Sequence, residues 1–94
     1  MENTKENLRY DYQNALKDYM CIEFKKTRSE LGITQQQMAE ILQMDPRSYR
    51  SLEKGEFACG ALSLALYIVF CCSDISKFTN ELQKLFSNIK NHVA

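Results

Sequence analysis

The sequence holds little that breaks a helix. It has one proline, Pro46, and three glycines, Gly32, Gly55 and Gly60. Nothing between residues 4 and 31 is glycine or proline, so a single long helix can run through that span. Histidine is nearly absent. The one copy, His92, sits in a segment that reads as a frayed tail, which leaves little acid–base chemistry near neutral pH. There is no nucleophile–base pairing, no phosphate-binding glycine loop and no metal-ligand spacing, so an enzyme is the most distant reading and no cofactor is expected. The four cysteines, at 21, 59, 71 and 72, contain no CxxC pair and read as small buried apolar residues of a reducing compartment. A zinc set drawn from Cys59, Cys71, Cys72 and His92 would fit no common zinc spacing. A membrane-spanning run is missing as well: the longest apolar stretch, 61–72, is about half the length a bilayer-crossing helix needs. No basic segment followed by an apolar one opens the chain, so the expectation is a cytoplasmic protein without a secretory signal.

An excess of either charge is also lacking. Twelve basic and twelve acidic residues give zero net charge over 94 residues, enough chain for one domain with a small core. Phosphate neutralisation dominates most nucleic-acid affinity, so a DNA-binding face here has to come from segregation of charge. Residues 1–24 hold three bases and five acids, and residues 25–58 hold six bases and five acids. Neither internal repeats nor low-complexity segments are present.

Against that background one stretch stands out, TQQQMAEILQMDPRSYRSLEKG over residues 34–55. Met38, Ala39, Ile41 and Leu42 give a first helix one apolar face. Thr34 is a good N-cap, and Gln37 three residues later completes a capping box. Gln43 and Met44 leave room only for a turn. Asp45 then caps a second helix, Pro46 fits its first position and Gly55 its stop. Tyr49 and Leu52 form that helix's apolar stripe, with Tyr49 read as core, while Arg47, Ser48, Arg50, Ser51 and Lys54 occupy its other faces. Two helices meeting over a short turn, the second with a basic and hydroxyl-bearing surface, make the geometry of a helix-turn-helix, which sets its second helix in the DNA major groove.

The stretch from Phe24 through Gly55 resembles the phage repressor and Cro-like regulators, the XRE-type helix-turn-helix family, and the likeness continues more loosely to about Ser73. Arg28, Leu31-Gly32-Ile33-Thr34-Gln35, Met38-Ala39, Leu42, Leu52-Glu53 and Gly55 carry it, at the family's spacing and without a gap. The resemblance implies an inward ion pair between Arg28 and Glu53 that locks the first helix of the core to the recognition helix. It implies a phosphate contact from Gln35, assisted by helix N-terminal amides. The base-reading positions fall on Pro46, Arg47 and Ser51. Of these, Pro46 offers only an apolar contact, Arg47 suits a bidentate bond to guanine, and Ser51 discriminates weakly. Arg50 and Lys54 are placed for phosphates. Two positions depart from the family's pattern: Gln43 stands where the turn usually has glycine, and Glu56 stands in a loop that often carries Lys or Arg.

The remaining chain reads as helix. Leu8, Tyr12, Ala15, Leu16, Tyr19 and Met20 line one face of an N-terminal helix, with Asn3 and Glu6 as a possible cap. Either this helix packs on its own domain or it dimerises. Cys21 to Leu31 carries Ile22, Phe24 and Leu31, and Gly32 stops it. Ala61 to Cys72 is apolar almost all round and must be covered by the N-terminal helix, the last helix or a second subunit. Ser73-Asp74 caps a last helix to about Lys90, with Ile75, Phe78, Leu82, Leu85, Phe86 and Ile89 on one stripe and Lys77, Glu81 and Lys84 on the outer side. The last and N-terminal helices are the expected two-fold interface.

The expectation is thus an all-α, repressor-like helix-turn-helix bundle of about five helices with an additional N-terminal helix. It divides into the extra helix at 4–21, a core at 22–73 holding the 34–55 motif, and a C-terminal helix at 74–90. The expected function is sequence-specific binding of double-stranded DNA at a pseudo-palindromic operator, as a homodimeric transcription regulator. The competing expectation is a protein-interaction module of the same fold, antitoxin-like or a phage-derived modulator, with weak or no DNA binding.

Overall fold

The computed structural model describes residues 5–93, with side-chain surroundings from 7 to 91. It is all-helical: α1 spans Lys5–Leu31, α2 Gln35–Ile41, α3 Pro46–Glu53, α4 Ala61–Phe70 and α5 Ile75–Val93, with no strand among the described residues. The N-terminal helix and the helix expected from residue 22 are one element of 27 residues. No glycine or proline interrupts it, and Met20, Phe24 and Thr27 continue one buried face across the expected boundary. Of the other apolar positions read there, Ile22 lies off that face, and Leu31 is in line with it but at the last residue of the helix; both are exposed. The Asn3–Glu6 cap falls outside the described side chains, as does the side chain of His92.

Three successive helices stop in the same way. At each end a residue takes positive φ: Gly32 at +67°, Gln43 at +56° and Gly55 at +75°. The next amide reaches back over the helix end, from Ile33 to the Arg28 carbonyl at 3.3 Å, from Met44 to Ala39 at 2.8 Å and from Glu56 to Ser51 at 3.1 Å. This bonding satisfies carbonyls that the helix end would leave open. Gln43 adopts the left-handed turn although it carries a Cβ, and its Nε2 donates to the Glu40 carbonyl at 2.9 Å. The steric cost of that conformation is about 1 kcal/mol. Gln43→Gly is therefore expected to stabilise the protein by no more than about 0.5 kcal/mol, once the lost side-chain bond and the freer unfolded chain are set against the relieved strain. Thermal melts would read this as a midpoint at most a few degrees higher.

The helix starts are also local. Thr34 accepts from the Gln37 amide at 3.1 Å, and the Gln37 side chain accepts from the Thr34 amide at 2.9 Å, closing the capping box of α2. Asp45 accepts from the Arg47 amide at 3.0 Å with Pro46 in the first turn of α3. Asp74 accepts from the Lys77 amide at 3.0 Å to open α5.

Packing gives the stripes of α1 and α5 to each other. Tyr12 meets Phe86 edge-on at 5.3 Å between ring centroids, and Tyr19 meets Phe78 at 6.2 Å, so the two helices run antiparallel. The Tyr19 hydroxyl donates to Glu81 at 2.5 Å, which turns Glu81 toward α1 rather than to the outer side with Lys77 and Lys84. The stripes expected to pair two subunits thus meet each other within one chain, except Ile75, which is exposed. The core gathers Met20 and Phe24 of α1, Met38 and Ala39 of α2 with Leu42 just beyond it, Tyr49 and Leu52 of α3, Tyr67 of α4 with Cys71, and Phe78 of α5. Polar pairs are buried among them as well, such as the hydroxyls of Thr27 and Tyr67, which bond at 2.9 Å.

Helix α4 keeps an open face. Ser63, Tyr67 and Cys71 turn inward, whereas Leu62, Val69 and Phe70 are 64%, 69% and 68% exposed. Of the three covers expected for it, the N-terminal helix and the last helix leave this side open.

Candidate nucleic-acid interface

The site is built on α3, and α3 is held in place by the carboxylate at its end. Glu53 is only 4% exposed. It accepts from Arg28 Nε at 2.6 Å and Nη2 at 3.1 Å, from Gln35 Nε2 at 3.0 Å, and from the Tyr49 hydroxyl in a short hydrogen bond. Arg28 Nη1 also donates to the Ile33 carbonyl at 3.3 Å. One carboxylate therefore ties together α1, α2 and α3. Among the described residues no buried side-chain nitrogen or oxygen lacks a partner.

The electrostatics agree with this arrangement. Burial pushes the Glu53 carboxyl up, but hydrogen bonds from Arg28, Tyr49 and Gln35 and the guanidinium charge outweigh it, and the net shift is downward. The Arg28 guanidinium is held charged more firmly than usual by its bond to Glu53, against a smaller opposing effect of burial. The Tyr49 hydroxyl is pushed well up, by burial first and then by its bond to Glu53, so it remains a donor.

With Tyr49, Leu52 and Glu53 buried, the opposite side of α3 is fixed outward. Arg47, Ser48, Arg50 and Lys54 are exposed, and Pro46 and Ser51 are half-buried at its borders. At about 3.6 residues per turn, Arg47, Arg50 and Lys54 lie within about 60° of one another around the axis. No acid of α3 shares their side, because Glu53 points inward, and the preceding Asp45 is spent as the cap. Exposed Glu56 lies just beyond the helix, in the loop to α4.

Gln35, expected at a phosphate, is tied into the Glu53 network. Its amide is half-buried and one N–H is committed to Glu53, so its main contact is with the carboxylate that holds α3. The sequence reading also missed the Tyr49 hydroxyl as a donor. Its spacing of four from Glu53 on a helix was the available signal, since residues four apart share a helical face.

Among the described residues no group of three or more His, Cys, Asp or Glu side chains is arranged to hold a metal ion, and no helix is long and apolar enough to cross a membrane. Compared with protein-family models, curated proteins and solved structures, the chain has no match in any of the three.

Proposed function

We propose that this protein is a sequence-preferring DNA-binding transcription regulator that sets α3 into the major groove, acting in the cytoplasm as a homodimer and without enzymatic activity. The observation that carries this reading is the segregation on α3. Arg47, Ser48, Arg50 and the C-capping Lys54 face outward, with Ser51 half-buried at the border, on a helix whose only acid is buried and neutralised from within. The likeness of residues 24–55 to the repressor and Cro-like regulators supports the same helix-turn-helix reading. Arg47 reads guanine, Ser51 adds weaker discrimination, and Pro46 meets an apolar edge such as a thymine methyl. Arg50 and Lys54 bind phosphates, with Ser48 at the edge of the same surface. Gln35 retains a second N–H for a phosphate while its first holds Glu53. In a dimer the two half-sites are spaced by about one helical turn of DNA.

Fluorescence anisotropy with DNA from upstream of its own gene, over a salt series, tests this. Arg47→Ala is expected to weaken binding to the preferred sequence by about 1–3 kcal/mol and to relax preference at one base pair. Arg50→Ala should weaken all sequences alike and reduce the salt slope by about one. The zero net charge and the exposed Glu56 favour the second reading, a protein-interaction module with weak DNA binding. Absence of binding at low salt by the folded protein would select it.

A further inference from the structure

We infer that the open face of α4 is the docking surface for a second copy of this chain, the two α4 helices crossing antiparallel about a twofold axis that passes beside Ala65. The inference supplies the interface for the dimer proposed above.

Leu62, Ala65, Leu66, Val69 and Phe70 recur at the spacing of one helical face. Leu62, Val69 and Phe70 are about two-thirds exposed, and Ala65 is exposed between them. The helix has only two polar side chains, Ser63 and Tyr67, and both are used inside: Ser63 Oγ donates to the Leu42 carbonyl at 3.0 Å, and Tyr67 bonds Thr27. Nothing polar is left to present to water. The other exposed apolar residues of the long helix, Tyr10, Ile22 and Leu31, are nine or more positions apart and form no stripe, which is ordinary for a protein surface.

Two properties select a second copy as the occupant. A twofold axis brings each residue near it against its own equivalent, so any charge there would be opposed by itself. Residues 61–70 contain no charged side chain. The stripe is also self-complementary. Positions 62 and 69 lie on either side of its centre, so antiparallel crossing sets Leu62 against the partner subunit's Val69, and the small Ala65 at the centre lets the helices approach. The face consists of five side chains on one helix, three of them about two-thirds exposed, which places two copies at or below the roughly 1,000 Å² at which a specific interface begins. The expected dimer is accordingly of micromolar rather than nanomolar strength.

Sedimentation equilibrium of the whole chain without DNA, from about 1 to 100 µM, tests the proposal. The wild type should reach a dimer within that range. Ala65→Arg should raise the dissociation constant by about tenfold or more, with an unchanged helical spectrum and melting midpoint at dilution, because Ala65 is exposed in the monomer. Leu62→Glu and Val69→Lys chains should each be monomeric alone and should pair when mixed, since only an antiparallel twofold brings those two positions together. A wild type that stays monomeric throughout, a dimer that survives Ala65→Arg, or two variants that fail to pair would overturn the inference. The measurement contains no DNA, so a monomer that binds DNA through Arg47 sinks this interface and the homodimer but leaves the DNA reading standing. A dimer that binds none sinks only the DNA reading.

Discussion

Glu53→Ala is expected to cost about 3–5 kcal/mol of folding stability, the range for breaking a buried ion pair by deleting one partner. A domain is stable by only about 5–15 kcal/mol, so the variant should lie near the edge of folding at room temperature. The loss does not fall evenly. Arg28 keeps a quarter of its side chain in water and can be partly rehydrated. Tyr49 is fully buried, and its hydroxyl would lose the acceptor it points at. Arg28→Ala should therefore be less severe, because Tyr49 and Gln35 still donate to the carboxylate. Urea unfolding followed by circular dichroism would rank the two. If Glu53→Ala costs less than about 1 kcal/mol, the ordinary value of a solvated surface pair, the buried network does not hold α3.

The same carboxylate sets a pH dependence. Its folded-state pKa lies below the unfolded value, so its contribution is present above about pH 4–5, where the unfolded carboxylate is ionised. The contribution is lost as pH falls through the folded pKa. Tyr49 acts at the other end: its raised pKa means that stability is lost as pH rises above the ordinary tyrosine value of 10.0. Glu53→Gln should flatten the acid limb of the stability profile relative to wild type. It should not restore full stability, because one face of the new amide is a donor opposite the donors of Arg28.

The parts of the fold legible in the sequence are those decided within a few residues. Thr34 with Gln37, Asp45 with Pro46, and Gly32 and Gly55 mark helix ends through bonds that span three to five positions. The inward turn of Glu53 was legible for a similar reason, since it follows Leu52 on a short helix whose apolar side is unambiguous. Long-range partners were not legible. The stripes of Tyr12, Tyr19, Phe78 and Phe86 are equally suited to another subunit and to each other, and only packing decides between them. Helix α4 lacks a polar face, so periodicity gives no inward direction. The direction comes from Ser63 and Tyr67, whose partners are 21 and 40 residues away. Thr27 gave no sign of burial for the same reason. Residues 21 and 22 carried no signal of a boundary, and the helix runs through them.

Phe24→Ala is the second large effect, expected at about 3–5 kcal/mol. Phe24 is fully buried on α1 and meets Tyr67 edge-on at 5.1 Å and Tyr49 at 6.3 Å. Tyr67 in turn packs on Phe78 at 5.6 Å, so one ring links the helices that carry the candidate site to those that brace it. The cost depends on whether neighbours collapse into the space left behind. Here they are restrained: Tyr49 is hydrogen-bonded to Glu53 and Tyr67 to Thr27, so moving either ring inward would break a buried polar contact. The loss should therefore lie toward the upper end of the range, and Phe24→Leu should recover about half of it by refilling volume without the edge-on contacts. Unlike the Glu53 effect, it should be independent of pH between about 5 and 9, because no ionisation changes with the ring. The two sites share Tyr49, so they should not be additive. A cycle of Phe24→Leu and Glu53→Gln is expected to show a coupling of at least about 0.5 kcal/mol. Strict additivity would mean that the aromatic core and the carboxylate network hold α3 independently, and that Tyr49 transmits nothing between them.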